Sequence, residues 1–143
     1  MASMYDIFQT DENLETGGIW LDYGDFRILI ASAGQGNKKY IRIAERALKP
    51  IRRAMQAGAV SNERSMVIMS EVYAKSIILN WQVKVDGEWK VGIDGPEGEL
   101  LPFNEEEVIK TFGALPNLFL DVQEQAQSTA NFRKLEQETD TKN

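Results

Sequence analysis

Apolar and polar residues first alternate on either side of Gly24-Asp25, a two-residue turn with Gly first, the type II′ pattern. This turn pairs Tyr23 with Phe26, Leu21 with Ile28 and Ile19 with Ile30. All six apolar residues then share one face, as a half-buried hairpin requires. The register also sets Asp22 opposite Arg27, an expected cross-strand ion pair, and Trp20 beside Leu29 on the other face. Residues 1–17 read as an irregular lead-in from which Ile7, Phe8 and Leu14 can dock.

The period then changes to that of a helix. Asn37 is a good N-cap, and Tyr40, Ala44, Ala47, Leu48, Ile51 and Met55 form a stripe. Pro50 falls inside it and should kink or break the helix, and Gly58 ends it. Ser61 can cap a second helix running roughly to Asn80, with Met66, Met69, Val72, Tyr73 and Ile77 on one side. Glu71 and Lys75 are its only charges from Val67 to Leu79, which places it at the centre of the core. A second hairpin follows around Asp86-Gly87. A three-residue loop would pair Val83 with Trp89 and Trp81 with Val91, and is preferred because it gathers the apolar residues on one face. Asp94 to Gly98 reads as an exposed turn.

Asn104-Glu-Glu-Glu107 is an Asn-led capping box, with Phe103 and Val108 placed as a hydrophobic staple. The helix it starts should bury Val108, Ile109, Phe112 and Leu115, and Pro116 should begin the last helix. Leu118, Phe119, Val122 and Ala126 then recur at helical spacing, and the stripe thins to Ala130, Phe132 and Leu135 among polar residues. The pattern describes an α+β, mainly helical single domain over residues 1–135. It has four main helices and two short antiparallel hairpins, followed by a flexible polar tail over residues 136–143.

The 143 residues suit one domain. No apolar run is long enough to span a membrane, and the N-terminus lacks the basic and apolar regions of a signal peptide. The chain has no Cys and no His. That removes thiolate chemistry, the commonest general base and the usual zinc ligand; it disfavours an enzyme while leaving carboxylate, Lys or Tyr chemistry open, and no metal or cofactor is expected. The net charge of −6 is unevenly spread. In residues 38–53 seven cations face Glu45 alone, which makes that segment +6 and leaves −12 elsewhere. The overall acidity argues against nucleic acid as a partner.

Few residues suggest chemistry. Gly34-Gln-Gly-Asn37 joins a strand to a helix and could cradle a phosphate, but the P-loop spacing is absent; a connection that needs Gly is the plainer reading. Glu105, Glu106 and Glu107 favour a helix N-terminus rather than a metal. Met66 and Met69 fit core filling or an adaptable groove, with the core favoured. Two segments carry the candidate partner-binding residues. Lys38, Arg42, Arg46, Lys49 and Arg53 form a one-signed helix face suited to an acidic partner or another copy of the chain. Asn131, Phe132 and Arg133 lie in the thinning stretch 126–135, where an exposed aromatic and an Arg would suit an interface; a final turn folding back on the domain is the alternative.

Several stretches together resemble the tail assembly chaperones of long-tailed bacteriophages. They are Tyr5-Asp-Ile-Phe8, Gly18-Ile-Trp-Leu-Asp-Tyr-Gly24, Phe26-Arg-Ile28, Asn37-Lys-Lys-Tyr40, Glu71-Val-Tyr-Ala74 through Trp81, and Leu115-Pro-Asn-Leu-Phe119 through Asn131-Phe-Arg133. Their order, spacing and the chain's size carry the likeness. The resemblance implies a non-enzymatic protein of the host cytoplasm that binds the phage tape measure protein, keeps it soluble, and is absent from the finished virion. It also implies a longer, frameshifted form that recruits tail tube subunits. Self-association is compatible with that role, through the basic helix pairing with a neighbour's acidic face. A head-tail or tail adaptor retained in the virion is the alternative.

Overall fold

Gly24 has φ +99° and Asp25 does not enter the left-handed region, the sign pattern expected of a type II′ turn. The strands it joins, β1 (Ile19–Asp22) and β2 (Phe26–Ile30), pair in the expected register from Ile19–Ile30 to Asp22–Arg27. The ion pair across that register does not form. Asp22 accepts from the Gly24 N–H at 2.8 Å, and the Arg27 guanidinium turns to Gln82. The computed structural model describes residues 3–133. The tail expected over residues 136–143 lies outside the described residues.

Around this hairpin the described chain is α+β. The lead-in forms two short helices, α1 (Met4–Phe8) and α2 (Glu12–Gly17). After β2 come α3 (Lys38–Leu48), a 3-10 turn at Lys49–Ile51, α4 (Arg52–Gln56) and α5 (Asn62–Ser76). Asn37 and Ser61 cap α3 and α5, and Pro50 breaks the first helical stretch, as their chemistry requires. Helix α5 stops at Ser76, short of the expected Asn80, because Ile78 already belongs to a strand.

The strands β3 (Ile78–Val85) and β4 (Glu88–Val91) complete one antiparallel sheet in the order β1-β2-β3-β4, so the two hairpins are joined. The second turn corrects the expected three-residue loop. Asp86 and Gly87, at φ 52° and 81°, make a two-residue turn that pairs Val85 with Glu88 and Lys84 with Trp89. Both φ values are positive, as type I′ demands. Trp89 therefore sits on the face opposite Trp81. The argument that the apolar residues must share a buried face fails because Trp89 has another partner: Arg27 stacks on it at 4.4 Å and on Trp20 at 4.0 Å. The stretch after β4 adds a small hairpin of β5 (Ile93–Asp94) and β6 (Leu100–Leu101), where only a turn was expected.

Helices α6 (Glu105–Ala114) and α7 (Pro116–Gln127) follow, and a 3-10 turn at Thr129–Phe132 closes the described chain. Asn104 accepts from the Glu107 N–H at 2.8 Å, the capping geometry expected. Ile28 and Ile30 from the sheet, Tyr73 and Ile77 from α5, Val108 and Phe112 from α6, and Phe119, Val122 and Ala126 from α7 make the core. Leu115 is 53% exposed rather than buried, because it is the joint between α6 and α7.

Both ends of the described chain depart from expectation. Ile7 and Phe8 do not dock; they are exposed, whereas Leu14 packs on the core. Phe132 is only 1% exposed and belongs to the core, so it is not an exposed contact residue. The final turn folds back because its backbone has partners. The Asp11 N–H donates to the Phe132 carbonyl at 2.8 Å, and Thr10 and Arg133 form a β-bridge. The Ala33 N–H likewise donates to the Ala126 carbonyl at 2.9 Å. Deleting residues 126–143 would remove two core side chains and these bonds. Phe132→Ala should cost about 3–5 kcal/mol of unfolding free energy in denaturant titration, the usual range for emptying a buried Phe site. The deletion should abolish cooperative unfolding.

The first hairpin is tied to α7 by the Tyr23 hydroxyl, which donates to Asp121 at 2.6 Å. Burial, then that hydrogen bond and the carboxylate charge, hold the Tyr23 phenol above its ordinary value. Burial pushes Tyr73 up to about 12. A phenol whose folded value is raised keeps its proton longer in the native state. Its contribution is complete below the unfolded value of about 10 and is lost as pH climbs through the folded value. Stability should therefore decline above about pH 10, and Asp121→Asn should bring Tyr23 ionisation to lower pH in a tyrosinate absorbance titration.

Candidate partner-binding surfaces

The basic residues of α3 and α4 reach the surface as the sequence suggests. Lys38, Arg42, Arg46, Lys49 and Arg53 are all exposed. Among the described residues no carboxylate lies within ion-pair distance of any of them; the one ion pair found there joins Lys110 to Glu106 at 3.8 Å on α6. Arg42, Arg46, Lys49 and Arg52 instead surround a shallow groove with Glu45. Like charges four residues apart on a helix repel, and cations in the first turn oppose the helix dipole. Lys38, Arg42 and Arg46 have that spacing, and α3 has no acid in its first turn. The face therefore costs the isolated fold some stability and leaves its charge open to a partner.

The C-terminal candidates do not join this surface. Phe132 is in the core. The Asn131 amide donates to the Gln125 carbonyl and side-chain oxygen, both at 2.9 Å, and Arg133 is half-buried at the bridge to Thr10. These residues fasten the end of the domain.

The loop between β2 and α3 does not present a phosphate cradle. Several of its N–H groups are already engaged: Ala31 donates to Ile77, Ser32 to Glu15, Ala33 to Ala126, Gly34 to the Ser32 hydroxyl, and Asn37 to the Gly34 carbonyl. The Glu15 carboxylate, held by the Thr10 hydroxyl, fills the space beside Gly36. A buried carboxylate in that position would repel a phosphate.

Two further surfaces were not legible as sites. One is an apolar groove of about 500 Å³ between α5 and α6, lined by Met66, Val67, Ile109, Phe112 and Pro116. Val67 is 54% exposed, and Met66 is half-buried at the groove instead of being wholly core filler. The other runs between α3 and α5, measures about 670 Å³, and has Ile43, Ile51 and Ile68 among its lining. Lys39, Arg46, Arg64 and Lys75 also line it, with Glu71 and Glu105 as its acids. The signal for both grooves was the spread of apolar residues around α5, where Met66, Val67, Ile68 and Met69 run together. That pattern suits a helix with apolar surface on several sides as well as one wholly buried.

No helix among the described residues is long and apolar enough to cross a membrane. Residues 35–143 match the family model described as YdaY prophage protein, and the chain belongs to that family. It is thus a phage-derived protein. The match begins at Gln35, beyond the first hairpin, and takes in α3 to α7. Neither the comparison with curated proteins nor that with solved structures gave a match.

Arg42 has like charges four residues away on both sides, Lys38 and Arg46. Arg42→Gln should stabilise the isolated protein by about 0.2–0.5 kcal/mol for each pair relieved, read from denaturant midpoints at low salt.

Proposed function

We propose that this protein is a tail assembly chaperone that binds the tape measure protein of its phage. The prophage family supports the phage setting. The observation that carries the reading further is the apolar groove between α5 and α6, with an exposed Val67 and an adaptable Met66 on its wall. An amphipathic helix places side chains at i, i+3, i+4 and i+7 into such a groove, and Met accommodates varied sequences. A tape measure protein is a long, largely helical client that would offer this face many times over. Masking those faces would keep the client soluble until it is built into the tail. The protein would act in the host cytoplasm, leave before the virion is complete, and in a longer form recruit tail tube subunits.

Co-expression with the tape measure protein of the same phage tests this. The client should be soluble and co-purify with the wild-type chain. Val67→Glu should retain the circular dichroism of the wild type and reduce co-purification at least tenfold, because it places a charge in a desolvated groove. A client that stays insoluble and unbound with the wild-type chain overturns the reading. Abundant protein in purified virions would instead identify a structural adaptor.

A further inference from the structure

Among the described residues, the helix α1 is an exposed element without a partner on its apolar side. Met4, Tyr5 and Phe8 are 77%, 73% and 71% exposed. The helix is nonetheless formed and held. Ser3 and Asp6 make a reciprocal capping box at 3.0 and 3.2 Å, and the chain behind it is tied to the domain through Asp11 and Phe132. A five-residue helix is too short to persist on propensity alone, so a docking contact would contribute to its order. From Ser3 to Gly17 the chain carries Asp6, Asp11 and Glu12 outside the buried Glu15, and no Lys or Arg.

The groove between α3 and α5 has the complementary character: an apolar floor with Lys39, Arg46, Arg64 and Lys75 on its walls, a cationic excess over its two acids, Glu71 and Glu105. It continues onto the cations of α3, which have no ion-pair partner among the described residues, and no residue of α1 lines it within the same protomer. We infer that α1 of one copy docks in the α3–α5 groove of a second copy, with Met4 and Phe8 on the floor and the acidic residues against the basic walls. The charge match selects this occupant over an uncharged helix, and over any basic segment. Donor and acceptor are different surfaces, so the contact is head-to-tail. A docked pair keeps a free α1 at one end and a free groove at the other, and the assembly grows as a chain or closes as a ring. This inference does not rest on client binding.

The test uses the purified full chain alone, by sedimentation velocity across a concentration series at low and high salt. The wild type should form oligomers larger than dimers, and high salt should weaken them at least tenfold. A donor-side variant, Met4→Ser with Phe8→Ser, and an acceptor-side variant, Arg46→Glu with Lys75→Glu, change exposed residues only. Each should stay monomeric while retaining the circular dichroism of the wild type. Mixed together they should form a one-to-one heterodimer that grows no further, since the mixture retains one intact α1 and one intact groove per pair. A monomeric wild type, variants that oligomerise as the wild type does, or folded variants that fail to pair on mixing would each overturn the inference.

Discussion

The ring of Tyr73 holds the four main helices in register. It is fully buried on α5 and meets Tyr40 of α3 edge-on at 5.9 Å and Phe119 of α7 edge-on at 5.4 Å. Phe119 in turn stacks on Phe112 of α6 at 4.8 Å. Aromatic pairs in these arrangements contribute about 0.5–1.5 kcal/mol each beyond the area they bury. Their directionality is the larger consequence. Edge-to-face contacts fix the separation and rotation of the helices that carry them, so α3 and α6 flank α5 at set distances. The two grooves beside α5 are what those distances leave open.

The sheet shows why some of this was legible and some was not. The register of the first hairpin could be read because Ile19, Leu21, Tyr23, Phe26, Ile28 and Ile30 leave a single choice: any one-residue slip would split the six between the two faces. The same rule failed on the second hairpin because it assumes that only one face has partners. Trp89 found its partner on the outer face, in the guanidinium of Arg27. That stack joins residues far apart in the chain, and no local pattern encodes it. The ends were misread for a related reason. Phe132 stands alone in a polar stretch, and its burial follows from partners far away in the chain: Asp11 on its carbonyl, Thr10 bridged to Arg133, and the core side chains around its ring. Conversely, Phe8 sits in a more apolar setting and is exposed. Of the candidate site, the basic face was legible because exposed charge follows from helical spacing, whereas grooves depend on the distance between helices.

The separation of charge along the chain is costly to folding and therefore informative. A basic face with no carboxylate at ion-pair distance among the described residues, beside an acidic remainder, keeps repulsion within α3 that one or two substitutions would relieve. Surface pairs contribute little to stability, so stability gives no reason to hold opposite charges apart. Association does. Long-range attraction orients incoming molecules, disfavours the wrong face, and fades with salt.

The helix α5 then has three roles that its sequence merges into one apolar run. Tyr73 and Ala74 face the core, Met66 and Val67 line the groove toward α6, and Ile68 lines the groove toward α3. On the proposed reading, one groove takes the client and the other takes a neighbouring copy. Separate grooves on opposite sides of one helix let both be filled at once. Each contact is then permitted to be weak. Copies lined up on a long client raise one another's effective concentration, so the coat holds together on the client and loosens when the client is withdrawn. A single strong contact would bind the client more tightly but would resist removal, which a protein that must yield its client to the growing tail has to avoid.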